Sequence, residues 1–179
     1  MDYMGCKGEI KIMIFKHITV VLLIMIVLTG CSLINKDEDE KEEYQSPMEY
    51  ATEQSEYIME CIVNKDKEGL KSVFSKHIAQ THDLDKEIDE FFKFIDGEII
   101  SYDEPEGYEG GYTRKDGEYT EKELGGRIRN VKTNKDNKYY ISYKSFYINK
   151  NNEDYLGVDY IIITNQTNNK EDEQIIIGN

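Results

Sequence analysis

The chain has 179 residues, of which 36 are acidic and 22 basic, so its formal net charge is −14 at pH 7. This charge argues against partners whose phosphates require Lys and Arg, such as nucleic acid and anionic lipid headgroups. Three cysteines, only one of which lies beyond residue 31, exclude a disulfide framework and a thiolate metal site.

The first predicted element is a secretion signal that ends at a cysteine. A lysine-bearing start precedes an apolar run over residues 18–28, which is followed by Gly30 and Cys31. A run of about 11 residues is too short for a membrane-spanning helix, which needs about 20, and is typical of a signal peptide. The four residues at its end form a lipobox, namely Leu28, Thr29, Gly30 and Cys31.

We therefore predict a lipoprotein signal peptide over residues 1–30 and a diacylglycerol anchor on Cys31. The alternatives are a plain signal peptide with an incidental cysteine, or a short anchor that is never cut. Two acyl chains suffice for stable anchoring, which predicts a location on the extracytoplasmic face of the cell membrane. The many Lys, Asn, Ile and Tyr residues suggest an AT-rich genome, as in many Gram-positive bacteria.

A charged tether and one folded domain are predicted after the anchor. Residues 31–46 contain an acidic run over 37–43 and too little apolar surface to offset the entropy of folding. Residues 47–179 are enough for a single domain with its own core.

The first half of this domain predicts three helices, over about 47–62, 66–75 and 83–95. Ser46-Pro47 begins the first helix, and Asp83 and Gly97 bound the third. The first helix carries an apolar stripe at helical spacing, consisting of Met48, Ala51, Ser55, Ile58, Met59 and Ile62.

The second half predicts strands, because the apolar period changes from 3.6 to 2. The predicted strands cover residues 98–102, 124–133, 138–149, 154–164 and 173–177. Short polar turns between them indicate an antiparallel meander, and Gly125-Gly126 suggests a bulge or sharp bend. The predicted fold class is α+β, with three N-terminal helices packed on a curved, cone-like antiparallel sheet of about five strands.

Residues 103–123 predict a long loop between two strands. This segment contains Pro105 and four glycines, and Asp116-Gly117 is a hairpin-turn signal. Loops of this length are functional or contain unrecognised structure. We therefore considered a lid over the mouth of the cone.

Several segments of the domain are similar to known families. Residues 63–75 resemble the second-helix signature of the nuclear-transport-factor-2-like, or ketosteroid-isomerase-like, superfamily. Residues 83–88, 91–97 and 99–102 resemble a family of uncharacterised lipoproteins from Gram-positive bacteria. The resemblance covers about residues 48–177 and implies a cone-like fold with an internal pocket. The superfamily includes isomerases, dehydratases, polyketide cyclases, transport adaptors and ligand binders, so it leaves the activity open.

An isomerase of this fold would need a carboxylate base and hydroxyl donors in an apolar pocket. The candidates are Asp159, Tyr143, Tyr147 and Tyr160 on neighbouring strands. Strict alternation would place Asp159 on the face of Ile161 and Ile163, where burial would raise its pKa. The alternative is a solvated Asp159 or one paired with a cross-strand Lys144.

Other catalytic or metal-binding motifs are weak. His77 and His82 lie near Asp83 and Asp85, but their spacing misses the three or four residues needed for ligands on one helix face. We interpret them as surface histidines in a loop and predict no metal site and no cofactor. The clustered strand tyrosines are consistent with a pocket, an interface or plain strand propensity.

The sequence thus predicts a lipid-anchored, non-enzymatic protein that binds a small ligand or a partner protein. One alternative is an isomerase or dehydratase that uses Asp159 and a tyrosine. The other is an interaction module that forms a homodimer through the open sheet face, as in relatives of the resembled fold.

Overall fold

The computed structural model describes residues 46–167 and 173–179. The predicted signal peptide, the lipobox with Cys31, and the tether up to residue 45 lie outside the described residues. Within the described part, no helix has the length and apolarity needed to cross a bilayer.

Four α-helices form the first half of the described domain, one more than predicted. They are α1 (Pro47–Asn64), α2 (Lys67–Ser72), α3 (Lys76–Thr81) and α4 (Leu84–Phe94). Each helix starts at a side-chain cap, and α1 has a full capping box in which Ser46 and Glu49 bond reciprocally.

The extra helix arises because the predicted second helix stops early. Phe74 and Ser75 are extended and pair with the sheet, where the Ser75 amide donates to the Val158 carbonyl at 2.9 Å. The Ser75 side chain then caps α3 by accepting from the Ile78 amide. The region predicted as a loop around His77 is therefore helical.

One six-stranded antiparallel sheet forms the second half. Its strands are β1 (Ile99–Ser101), β2 (Glu106–Lys115), β3 (Glu118–Thr133), β4 (Lys138–Asn149), β5 (Gly157–Asn165) and β6 (Gln174–Gly178). The order is β1-β3-β4-β5-β6, and β2 also pairs with β3. The predicted α+β class with an antiparallel sheet is confirmed.

Strand β2 and the start of β3 occupy the segment predicted as a 103–123 loop, so the expectation of a loop there was wrong. Residues 106–115 pair along β3 through a tight turn at Asp116-Gly117, both with positive φ, as the turn signal indicated. Beyond Gly107 this strand is solvent-exposed throughout. It therefore shows no alternation of apolar and polar residues, which is the signal that identifies a strand in a sequence.

The core lies between the helices and one face of the sheet. Of the predicted stripe on α1, five residues are buried, whereas Met48 is 46% exposed. They pack with core-facing residues of α2–α4 and the strands, including Leu70, Ile88, Phe91, Ile128, Ile141, Tyr143 and Ile161. Burial of this apolar surface is the main favourable term in folding.

Helix α1 sits very close to the sheet over two glycines. Gly107 and Gly126 are cross-strand partners, and they face Ala51 and Ser55 of the helix. A Cβ at Gly107 would lie 2.6 Å from the Ala51 carbonyl carbon, and one at Gly126 would overlap Ser55 Oγ and the Tyr143 ring. The predicted bulge at Gly125-Gly126 is absent, since pairing is continuous there and the register shifts flank it. Gly107 and Gly126 instead allow α1 to approach the sheet closely.

Candidate binding groove

An open groove of about 700 Å³ lies between α1 and the adjoining ends of β4 and β5. The third side is the segment that follows α2. The lining residues are Tyr50, Glu53, Gln54, Tyr57, Ser72, Val73, Phe74, Phe146, Tyr147, Leu156 and Gly157. We call this cavity the α1 groove.

The helical wall of the α1 groove follows from spacing along α1. Tyr50, Gln54 and Tyr57 recur at i, i+4 and i+7, and Glu53 lies beside them, so all four project from one side of the helix. This stripe is adjacent to the core stripe. Tyr57 is 43% exposed although it is a large aromatic residue.

The opposite wall is fixed by a backbone contact at Gly157. The Val158 amide donates to the Val73 carbonyl at 2.9 Å. Gly157 has φ +115°, and a Cβ there would lie 3.1 Å from both the Val73 carbonyl oxygen and the Ser75 nitrogen. Only glycine combines this left-handed backbone with so close an approach.

Two tyrosines form the aromatic end of the α1 groove. The ring centroids of Tyr50 and Tyr147 are 5.1 Å apart at an interplanar angle of 53°, within the range of favourable aromatic pairs. Burial raises the pKa of Tyr50, and the neighbouring Tyr147 raises it further. The Tyr50 hydroxyl therefore stays neutral at physiological pH and can donate a hydrogen bond.

Gln54 leaves a polar atom without a partner in the groove wall. Its side-chain Oε1 is withdrawn from solvent and has no hydrogen-bond partner among the described residues. A buried acceptor without a donor costs about 1–3 kcal/mol. Native proteins keep few such atoms, and each one needs a reason.

Of the residues predicted to line a pocket, Tyr147 lies in the α1 groove and Tyr143 lies in the core. The Tyr143 side chain is buried, and its hydroxyl donates to the Ala51 carbonyl at 2.7 Å, with Ser55 Oγ at 3.3 Å. Burial strongly raises the pKa of Tyr143. Its hydroxyl therefore ties α1 to the sheet and is not directed into the groove.

Asp159 and Tyr160 lie away from the α1 groove. Lys144 pairs with Tyr160 and the next residue, Ser145, pairs with Val158, so Asp159 is the extra residue of a β-bulge. The bulge interrupts the expected alternation, and both Val158 and Ile161 are buried. The Asp159 carboxylate lies 3.7 Å from Lys144 Nζ, as the alternative interpretation expected.

Tyr160 belongs to a cluster on the sheet face opposite the helices. Tyr108 from β2 lies over Gly125. Its pKa is raised by burial and then by the neighbouring hydroxyls of Tyr140 and Tyr160. The predicted strand tyrosines are thus divided between the two faces of the sheet.

The two histidines have structural contacts. His77 stacks on Tyr155 with ring centroids 4.3 Å apart, and His82 Nδ1 lies 3.0 Å from Glu87 Oε1. In the part of the chain that the structure describes, no three His, Cys, Asp or Glu side chains are grouped to hold a metal ion.

Sequence reasoning missed the helical wall of the α1 groove. Tyr50, Gln54 and Tyr57 were not singled out, although aromatic residues beside a core stripe were a readable signal. The other wall comes from β4, β5 and the segment after α2, and nothing in the sequence pairs these with α1.

Comparison with known proteins gives a family but no function. A family model described as a domain of unknown function (DUF5104) matches residues 55–166. The match runs from the middle of α1 through β5 and so includes most of the residues that line the α1 groove. No curated protein matches the chain.

Proposed function

The chain belongs to the DUF5104 family, whose description assigns no function, and we propose that it is a lipid-anchored extracytoplasmic protein that binds a small ligand in the α1 groove without chemically changing it. The domain would be held at the membrane through Cys31. We further propose a nuclear-transport-factor-2-like, cone-like arrangement for residues 47–179.

The observation that carries the ligand proposal is the unpartnered Gln54 oxygen in the wall of an aromatic groove. Ligand sites are concave and mostly apolar, with a few polar groups that fix orientation. The α1 groove has this composition, since aromatic and aliphatic side chains surround one amide and one carboxylate. A ligand donor would supply the hydrogen bond that Gln54 lacks once the side chain turns its oxygen toward the groove.

Replacement of Gln54 by Met is expected to raise the free energy of unfolding by about 1 kcal/mol. Met has a similar length and helix propensity but no polar oxygen to leave unsatisfied. Glu53→Gln, at the exposed neighbouring position, is the control and should change stability by less than about 0.5 kcal/mol. Denaturant unfolding of the purified proteins measures the difference.

The same variant tests ligand binding. Native mass spectrometry of protein purified gently from its own cells should show an added mass on the wild type that is lost in Gln54→Met. Asp159→Asn, outside the groove lining, should keep the added mass. A clean apo mass for the wild type would count against the proposal, and loss of the ligand in Asp159→Asn alone would favour the enzyme alternative.

The geometry separates Asp159, the base of the enzyme alternative, from one of its candidate donors, Tyr143. The Asp159 carboxylate lies beside the Lys144 ammonium, whereas the Tyr143 hydroxyl is already bonded to the Ala51 carbonyl. Lys144 and Tyr143 are consecutive residues of β4 and point to opposite faces of the sheet. Tyr143 is therefore not placed to act as the donor for Asp159.

The proposed lipid anchor is tested separately, by substitutions at Cys31 and Cys61. Cys31→Ala is expected to abolish labelling by radioactive palmitate and to release the protein from the membrane fraction. Cys61→Ala is the matched control, because Cys61 lies in the core at 2% exposure and is out of reach of a lipid transferase. Continued labelling of Cys31→Ala would show that the anchor prediction is wrong.

A further inference from the structure

The α1 groove is electrically one-sided. Among the described residues that line it, Glu53 is the one charged side chain, and none is Lys, Arg or His. Helix α1 also carries Glu49, Glu56 and Glu60, and it has no basic residue between positions 47 and 64. The field along this wall therefore favours a cation and opposes an anion.

One ammonium approaches the opposite wall but is already neutralised. Lys144 Nζ lies 4.8 Å from the centre of the Phe146 ring. The same nitrogen is 3.0 Å from Glu123 Oε1 and 3.7 Å from Asp159 Oδ2. With two carboxylates beside it, Lys144 does not make the groove attractive to an anion.

Aromatic rings supply a second attraction for positive charge. Tyr50, Tyr57 and Tyr147 line the groove together with Phe146. The face of an aromatic ring carries negative potential and attracts ammonium groups placed within about 6 Å. Tyr50 and Tyr147, which pack against each other, are two such rings, and Glu53 lines the same groove.

The unpartnered side-chain oxygen of Gln54 supplies a third attraction for positive charge. It accepts no hydrogen bond among the described residues, so a rotation of the Gln54 side chain that turns this oxygen toward a ligand N–H breaks no bond to it. Carboxylate, ring faces and carbonyl oxygen all prefer the same partner.

We infer that the ligand of the α1 groove is an organic amine, protonated at nitrogen and carried on an aromatic or aliphatic body. This inference rests on the proposed ligand-binding function. The ammonium lies between Glu53 and the Tyr50–Tyr147 pair and donates an N–H to Gln54. The body of the ligand extends along Val73, Phe146 and Leu156.

The test is a titration with three probes of one shape and different charge. The full-length lipidated protein in neutral-lipid nanodiscs is titrated by calorimetry with 2-phenylethylamine, 2-phenylethanol and 3-phenylpropanoate at pH 7, against empty nanodiscs. The amine should bind about fivefold more tightly than the alcohol and at least about tenfold more tightly than the carboxylate.

Two glutamates of α1 give a matched pair of variants. Glu53→Gln should lower the affinity for 2-phenylethylamine about fivefold and leave the affinity for 2-phenylethanol unchanged. Glu56→Gln makes the same charge change on the same helix outside the groove lining, so it should weaken the amine less than about twofold. Gln54→Met should lower the affinity for both 2-phenylethylamine and 2-phenylethanol.

The outcomes distinguish failure of the amine inference from failure of the proposed ligand-binding function. If 3-phenylpropanoate binds as tightly as the amine, the amine inference is wrong while the groove remains a ligand site. Equal effects of Glu53→Gln and Glu56→Gln would also overturn it, because the preference would then come from the charge of the whole helix. No binding by any probe overturns the amine inference, and a clean apo mass in native mass spectrometry overturns the proposed function.

Discussion

Replacement of Gly126 by Ala is expected to lower the free energy of unfolding by about 3 kcal/mol. The added Cβ would overlap Ser55 Oγ and the Tyr143 ring. Both groups are buried and hydrogen-bonded to α1, so neither can rotate away without loss. Either the helix moves off the sheet or the tyrosine leaves its bond to the Ala51 carbonyl.

Gly111→Ala is the matched control for this variant. Gly111 also lies in the β2–β3 hairpin, but a Cβ there would meet only the flexible end of Glu123, at 3.2 Å. We expect its free energy of unfolding to change by less than about 0.5 kcal/mol. Denaturant melts of both variants provide the comparison, and equal stability would show that α1 does not need close contact with the sheet.

The second large effect is expected at alkaline pH, from Tyr143. Burial raises the pKa of Tyr143 well above that of a tyrosine in an unfolded chain. Above about pH 10 the unfolded chain loses this proton while the folded protein keeps it, so folding stability falls as pH rises. The contribution of this one group is about 1.4 kcal/mol per pH unit, and it is fully present below pH 10.

Tyr143→Phe removes that contribution. Compared with the wild type, its free energy of unfolding should be about 1 kcal/mol lower at pH 8, because the hydrogen bond to Ala51 is lost. The difference should shrink between pH 10 and 11. Other groups with raised pKa values, such as Cys61 and Lys144, titrate in both proteins and cancel. Parallel stability curves up to pH 11 would mean that the Tyr143 hydroxyl ionises in the folded protein.

Local signals predicted most of the fold. The caps at Ser46 and Asp83 and the turn at Asp116-Gly117 act within four residues of chain, and the structure contains all three. Strand β4 was predicted over 138–149 and is observed as Lys138–Asn149, because half-buried and buried residues alternate over its first eight positions.

The errors come from features that local patterns do not determine. Strand β2 is exposed on both faces beyond Gly107, so only its pairing with β3 identifies it. The bulge at Asp159 depends on the register against β4, and it reversed the predicted face of that carboxylate. The α1 groove joins residues about a hundred positions apart, so no window of sequence contains it.

The close packing of α1 on Gly107 and Gly126 also affects how the domain responds to mechanical force. The chain before residue 46 continues directly into α1, so any pull through that chain reaches the domain at the helix that forms the groove wall. Hydrogen bonds between α1 and the sheet resist it, among them the Gly107 amide on Thr52 Oγ1 at 3.3 Å and the Tyr143 hydroxyl on the Ala51 carbonyl at 2.7 Å. Because Gly107 and Gly126 place no side chain between helix and sheet, a small displacement of α1 is enough to break these hydrogen bonds. Tension is therefore expected to change the shape of the α1 groove before it unfolds the sheet.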